Sequence, residues 1–154
     1  MGTKADIATL SVSERELETI AKHPIAYWPP APPDDDDRGV LLAGYPATEI
    51  VKKGPRTSSF GTYAASAIAQ RTTEWQLSCR VEWNYVQGMP ELGGLPPRGF
   101  DTGGMSGGPV FTIRERDGIL SFPLAGVISE GQPAWDTIIA DRADFIRADG
   151  SIRA

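Results

Sequence analysis

The spacing of apolar residues changes period along this chain. Residues 5–10 (ADIATL) form a short apolar run, which predicts a strand. Residues 13–22 (SERELETIAK) then switch to helical spacing. Ser13 followed by Glu16 is a capping-box pattern, and Leu17, Ile20 and Ala21 fall on one helical face. Pro24 ends this helix. Residues 24–38 (PIAYWPPAPPDDDDR) carry five prolines and four consecutive aspartates, so they should be extended and exposed. The DDDD run reads as a solvated loop tip rather than a metal site or recognition tag, because adjacent carboxylates diverge and repel.

From residue 39 the pattern is β. Strands are expected over 39–45, 58–65, 74–85, 109–114, 119–129 and 136–140. The third, EWQLSCRVEWNY, alternates: Trp75, Leu77, Cys79, Val81 and Trp83 on one side, polar residues on the other. Cys79 is thereby a small core residue. A Gly/Pro-rich loop spans 88–104, Asp117-Gly118 marks a turn, and the tail ADRADFIRADG should hold a short helix docked by Phe145 and Ile146. About six antiparallel strands are enough to close a small barrel and remove its edges. The expected fold is all-β: an arm over 1–38 and a barrel over 39–154.

Composition narrows the function classes. The 154 residues include 17 Gly and 13 Pro, which disfavours helical bundles and coiled coils. A hydrophobic fraction of 40% is enough for a core. The formal charge of −5 argues against nucleic acid, whose phosphates need clustered Lys and Arg. A single Cys excludes an intrachain disulfide. The first residues lack the apolar core of a signal peptide, and no stretch reaches membrane-spanning length, so a cytoplasmic location without membrane contact is expected. Gly2 lacks the Ser or Thr that myristoylation wants four residues on.

The sharpest chemical feature is FDTGGMSGGPVF at 100–111, where four glycines flank Ser106. Glycines let a loop turn tightly and aim successive N–H groups at one point, which can stabilise an oxyanion beside a serine hydroxyl. A plain turn with an incidental serine fits the spacing equally well. A phosphate loop does not, since no Lys follows the glycines.

GMSGGPVF resembles the nucleophile loop of the trypsin-like (chymotrypsin-fold) serine peptidases. Two further segments resemble the same family. LAGVISEG at 124–131 is similar to the strand after the nucleophile, and DIATL at 6–10 is similar to the stretch carrying the family's triad Asp. Asp6 and Ser106 lie 100 residues apart, against roughly 90 in the family template. The resemblance implies the second barrel of a two-barrel peptidase acting on peptide or protein substrate, without cofactor or metal. It implies Ser106 as nucleophile, the N–H groups of Gly104 and Ser106 as oxyanion hole, and Asp6 as the residue that orients a histidine. Ser129 would sit beside Asp6. Ile128, Ser129, Glu130 and Gly131 would form a pocket wall and a substrate edge, with Phe100 near the pocket base.

The departures carry equal weight. Met105 stands where zymogen-activated members have Asp, so that mode of activation is not expected. Glu130 stands where many members have an aromatic residue. The family's His lies roughly 45 residues before its Asp, whereas five residues precede Asp6 here. The one histidine, His23, follows Asp6 at a helix end, a favourable place for a surface His. Without a base, Ser106 should be a very poor nucleophile. Two functions are therefore expected to compete. One is an incomplete serine peptidase needing a His-bearing half or self-association. The other is a non-catalytic barrel that binds peptide or protein. A small barrel unrelated to peptidases is a third alternative.

Overall fold

In the computed structural model the described residues are 6–20, 29–35, 38–47, 50–55, 57–60, 63–81, 103–132 and 136–153. Six strands close into an antiparallel barrel: β1 (Arg38–Gly44), β4 (Tyr63–Thr72), β5 (Gln76–Arg80), β6 (Pro109–Thr112), β9 (Leu124–Gln132) and β10 (Thr137–Arg142). Their order around the barrel is β1-β4-β5-β10-β9-β6. It is thus two three-stranded meanders joined edge to edge, with β5 on β10 and β1 on β6. Two hairpins stand outside: β2 (Ile50–Gly54) with β3 (Thr57–Phe60), and β7 (Arg114–Arg116) with β8 (Ile119–Ser121).

Alternation decides what enters the barrel. Val40 and Leu42 of β1, Leu77 and Cys79 of β5, Val110 of β6 and Ile138 of β10 are all buried. Where these are large, β4 and β10 supply Ala67, Ala69 and Ala140, which fits a narrow interior filled by alternating large and small side chains. Leu42 and Leu77, essentially fully buried, each contribute about 2 kcal/mol of burial.

Several expectations are corrected. Residues 6–10 form no strand; they run as irregular chain along the barrel. The helix over 13–22 is described only as α1 (Glu14–Thr19), with both capping-box bonds of Ser13 and Glu16 formed and no residue buried. The prolines are not all exposed: Pro32 and Pro33 are buried. The adjoining Ala31 donates its N–H to Leu124 O at 2.8 Å and accepts the Thr112 hydroxyl at 2.7 Å. The run over 119–129 divides into β8 and β9 around Phe122 and Pro123, because proline cannot extend the ladder. The tail helix is a single 3₁₀ turn, Ala143–Phe145. Phe145 nevertheless docks, stacking on Trp75 with ring centroids 4.8 Å apart. The turn at Asp117-Gly118 is present, with φ of 53° and 77° as a type I′ hairpin requires.

Candidate functional site

Ser106 sits between Gly104 and Gly107, whose φ values are +88° and +87°. The N–H of Gly108 donates to Met105 O at 2.9 Å, closing a β-turn with Ser106 second and Gly107 third. A positive φ at the third position is the type II requirement, and glycine meets it without strain. Met105 is the anchor of the loop. Its side chain is buried in the core against Gly44, at the end of β1. A residue expected to replace an activation Asp is therefore an apolar plug that holds the serine turn on the barrel.

The loop is also tied to β9. Gly107 N donates to Ile128 O and Ile128 N to Gly108 O, both at 2.8 Å. Gly108 lies so close to β1 that an added Cβ would fall 2.2 Å from Ala43 O. These constraints expose the Ser106 side chain, which donates to Ser129 O at 3.2 Å. The N–H groups of Gly104 and Ser106 have no acceptor among the described residues.

Ser129 is the extra residue of a β-bulge: Ile139 pairs with Glu130 and Ala140 with Ile128. Its hydroxyl donates to Ile139 O at 3.3 Å and braces the bulge, and the residue lines the same groove as Asp6. The bulge turns the Ser129 carbonyl toward Ser106.

A groove of about 560 Å³ runs beside this turn. Residues 6–10 form one wall, and Ser106, Gly107, Pro109, Leu124, Val127, Ile128 and Ser129 form another, with Ile146 and Gly150 of the tail completing it. Asp6 and Ser106, far apart in sequence, thus share one groove. The arm is held at both ends: Asp6 N donates to Asp141 Oδ2 at 2.9 Å, and Thr9 Oγ1 to Gly150 O at 2.6 Å. The Asp6 residue is exposed, and its carboxylate makes no hydrogen bond among the described residues.

Of the other expected site residues, Ile128 and Ser129 line the groove, whereas Glu130 is exposed and pairs with the Gln132 amide at 3.1 Å. Gly131 pairs with Ile138 in the β9–β10 ladder. Phe100 and His23 lie outside the described residues. The sequence reading missed Asp141, which is fully buried and accepts from both the Asp6 N–H and the Gln76 side-chain amide. Among the described residues no group of His, Cys, Asp and Glu could hold a metal ion, and no helix is long and apolar enough to cross a membrane. No protein-family model, no curated protein and no solved structure matches this chain.

Proposed function

We propose that this chain is the serine-bearing barrel of a trypsin-like serine peptidase, with Ser106 as nucleophile and peptide or protein as substrate. The observation that carries the reading is the Ser106 turn. It presents an exposed hydroxyl beside two N–H groups that have no acceptor among the described residues, at the edge of a groove shared with Asp6. A closed six-stranded antiparallel barrel is compatible with the resemblance read from GMSGGPVF, LAGVISEG and DIATL.

In this reading Ser106 Oγ adds to the scissile carbonyl, and the N–H groups of Gly104 and Ser106 donate to the oxygen that becomes negative. Collapse expels the amine and leaves an acyl-enzyme, which water then hydrolyses. The serine proton must go to a base. Its partner here, Ser129 O, orients the hydroxyl, but a carbonyl cannot take a proton at neutral pH. The base is a histidine contributed from outside the described residues, on the second partner the reading requires. Losing the histidine alone costs about 10⁶ in kcat in an unrelated serine protease, so turnover by this chain alone is expected to be very low.

A second reading, a barrel that binds peptide without cleaving it, is favoured by the Ser106–Ser129 hydrogen bond, because it leaves the hydroxyl engaged with main chain. A fluorophosphonate probe separates the two. The peptidase reading expects a slow adduct on Ser106, located by peptide mass spectrometry and lost in Ser106→Ala. A folded protein with no adduct after prolonged exposure, and with unchanged peptide binding in Ser106→Ala, leaves the binding reading alone.

A further inference from the structure

Among the described residues, the β7–β8 ribbon pairs only with itself: the barrel strands close on one another, and the ribbon is a separate two-stranded sheet. Both of its outer edges therefore carry main-chain groups that a further strand could pair with. The turn decides which groups these are. A type I′ turn at Asp117-Gly118 makes Arg116 and Ile119 a hydrogen-bonded pair. The next pair, Glu115 with Leu120, is then a non-hydrogen-bonded one, so the N–H and C=O of both residues point away from the ribbon. Neither residue has a hydrogen-bond partner among the described residues.

The two edges differ in side chains. β7 reads Arg-Glu-Arg, and charged residues on an edge strand oppose pairing. β8 reads Ile-Leu-Ser, with no charge. Ile119 and Leu120 are 71% and 56% exposed, and the adjoining Phe122 is 45% exposed. An uncharged apolar edge of this kind is a template for another strand.

We propose that β8 pairs antiparallel with β8 of a second copy of this chain, with Leu120 on the two-fold axis. Leu120 is the single residue of β8 whose main chain faces outward, so a symmetric pairing that exchanges both of its hydrogen bonds must set Leu120 opposite Leu120 of the other copy. Ile119 then lies opposite Ser121, and no charges face each other across the new edge. The charged β7 strands become the outer strands of a four-stranded sheet. Glu115 of one copy lies about 14 Å from Glu115 of the other, three strand spacings away and beyond the screening length in physiological salt. Pairing through β7 instead would set Glu115 against itself and Arg114 against Arg116, like charges directly opposite. None of β7 or β8 lines the Ser106 groove, so the inference does not depend on the peptidase reading.

Sedimentation velocity on the full chain tests this. So short an interface predicts a weak dimer, with a dissociation constant of about 100 μM, and nothing larger, because pairing uses up the β8 edge. Leu120→Lys should weaken association at least about tenfold at unchanged circular dichroism. Register is read by oxidative cross-linking. Leu120→Cys should form a disulfide-linked dimer, since opposed Cα atoms of a hydrogen-bonded pair lie about 5.5 Å apart. Ile119→Cys should not, because it faces Ser121, but an equal mixture of Ile119→Cys and Ser121→Cys should. A chain that stays monomeric to about 1 mM overturns the proposal and leaves the edge to a strand of another protein. Association that survives Leu120→Lys, grows past a dimer, or disappears at high salt overturns it too. So does cross-linking of Ile119→Cys as fast as of Leu120→Cys.

Discussion

The main-chain N–H of Asp6 donates to the carboxylate of Asp141 at 2.9 Å, across 135 residues of sequence. Asp141 follows Ala140, an inward residue of β10, and alternation points it out of the barrel. It is nonetheless fully buried, because the arm lies over it. The Gln76 amide, directly opposite on β5, donates to its other oxygen at 3.1 Å. One carboxylate therefore fixes the arm, and with it one wall of the Ser106 groove.

Asp141→Ala leaves the Asp6 N–H and the Gln76 amide without their acceptor. The expected cost is about 1–3 kcal/mol, from the loss of two part-buried, charge-assisted hydrogen bonds and a small cavity. Urea unfolding measures it. Limited proteolysis should also show faster cleavage within residues 6–10, since among the described residues the remaining hydrogen bond of this segment is Thr9 to Gly150. An unchanged cleavage rate would mean that Asp141 does not hold the arm.

Gly104→Ala tests the turn. An added Cβ would lie 2.6 Å from Ala47 N, at a φ of +88° that other residues rarely adopt. Neither neighbour is a flexible side-chain end, so the loop must shift, at about 1–3 kcal/mol. Thermal unfolding should fall accordingly, and any fluorophosphonate adduct at Ser106 should be lost. Gly107→Ala meets open space and is strained only by its own φ of +87°, so its expected stability loss is smaller.

Cys79 predicts a pH dependence. Burial pushes its thiol from 9.0 up to about 12, because the apolar interior disfavours the thiolate. Between these values the unfolded chain has released a proton that the folded chain retains. Stability from this group is thus complete below pH 9 and declines as pH rises toward 12, by up to about 1.4 kcal/mol per pH unit. Stability measured from pH 8.5 to 10.5 should fall more steeply in the wild type than in Cys79→Ala. Iodoacetamide at pH 8 should modify Cys79 only in denaturant.

The Ser13–Glu16 cap predicts a local effect. Hydrogen bonds from the Ser13 hydroxyl and N–H hold the Glu16 carboxyl below its usual range. The cap should therefore survive acidification past the ordinary Glu range and fail only when pH passes below this lowered pKa. Amide exchange at Ser13 and Glu16 reports it. Ser13→Ala should speed that exchange without changing global unfolding, because α1 buries no residue.

Much of the barrel was legible locally. Each of the six expected strands overlaps a barrel strand, although the one over 58–65 divides between β3, outside the barrel, and the start of β4; the clearest signal, over 74–85, is alternation in polarity, which needs no distant contact. Leu77, Cys79 and Val81 are buried as their alternation indicates. The Asp117-Gly118 turn and the Ser13 cap are equally local, set by backbone sterics and hydrogen bonds within a few residues.

What the sequence determined by itself was chemistry that short-range geometry controls: a glycine-framed Ser106, a capped helix, alternating strands and an acidic, proline-broken arm. Only the tertiary structure decided which distant groups meet. It made residues 6–10 a groove wall instead of a strand, turned Met105 into a core plug, and buried an outward-phase Asp141 under the arm. Barrel closure is the reason: it fixes strand neighbours and register across the whole chain, and no local period encodes those.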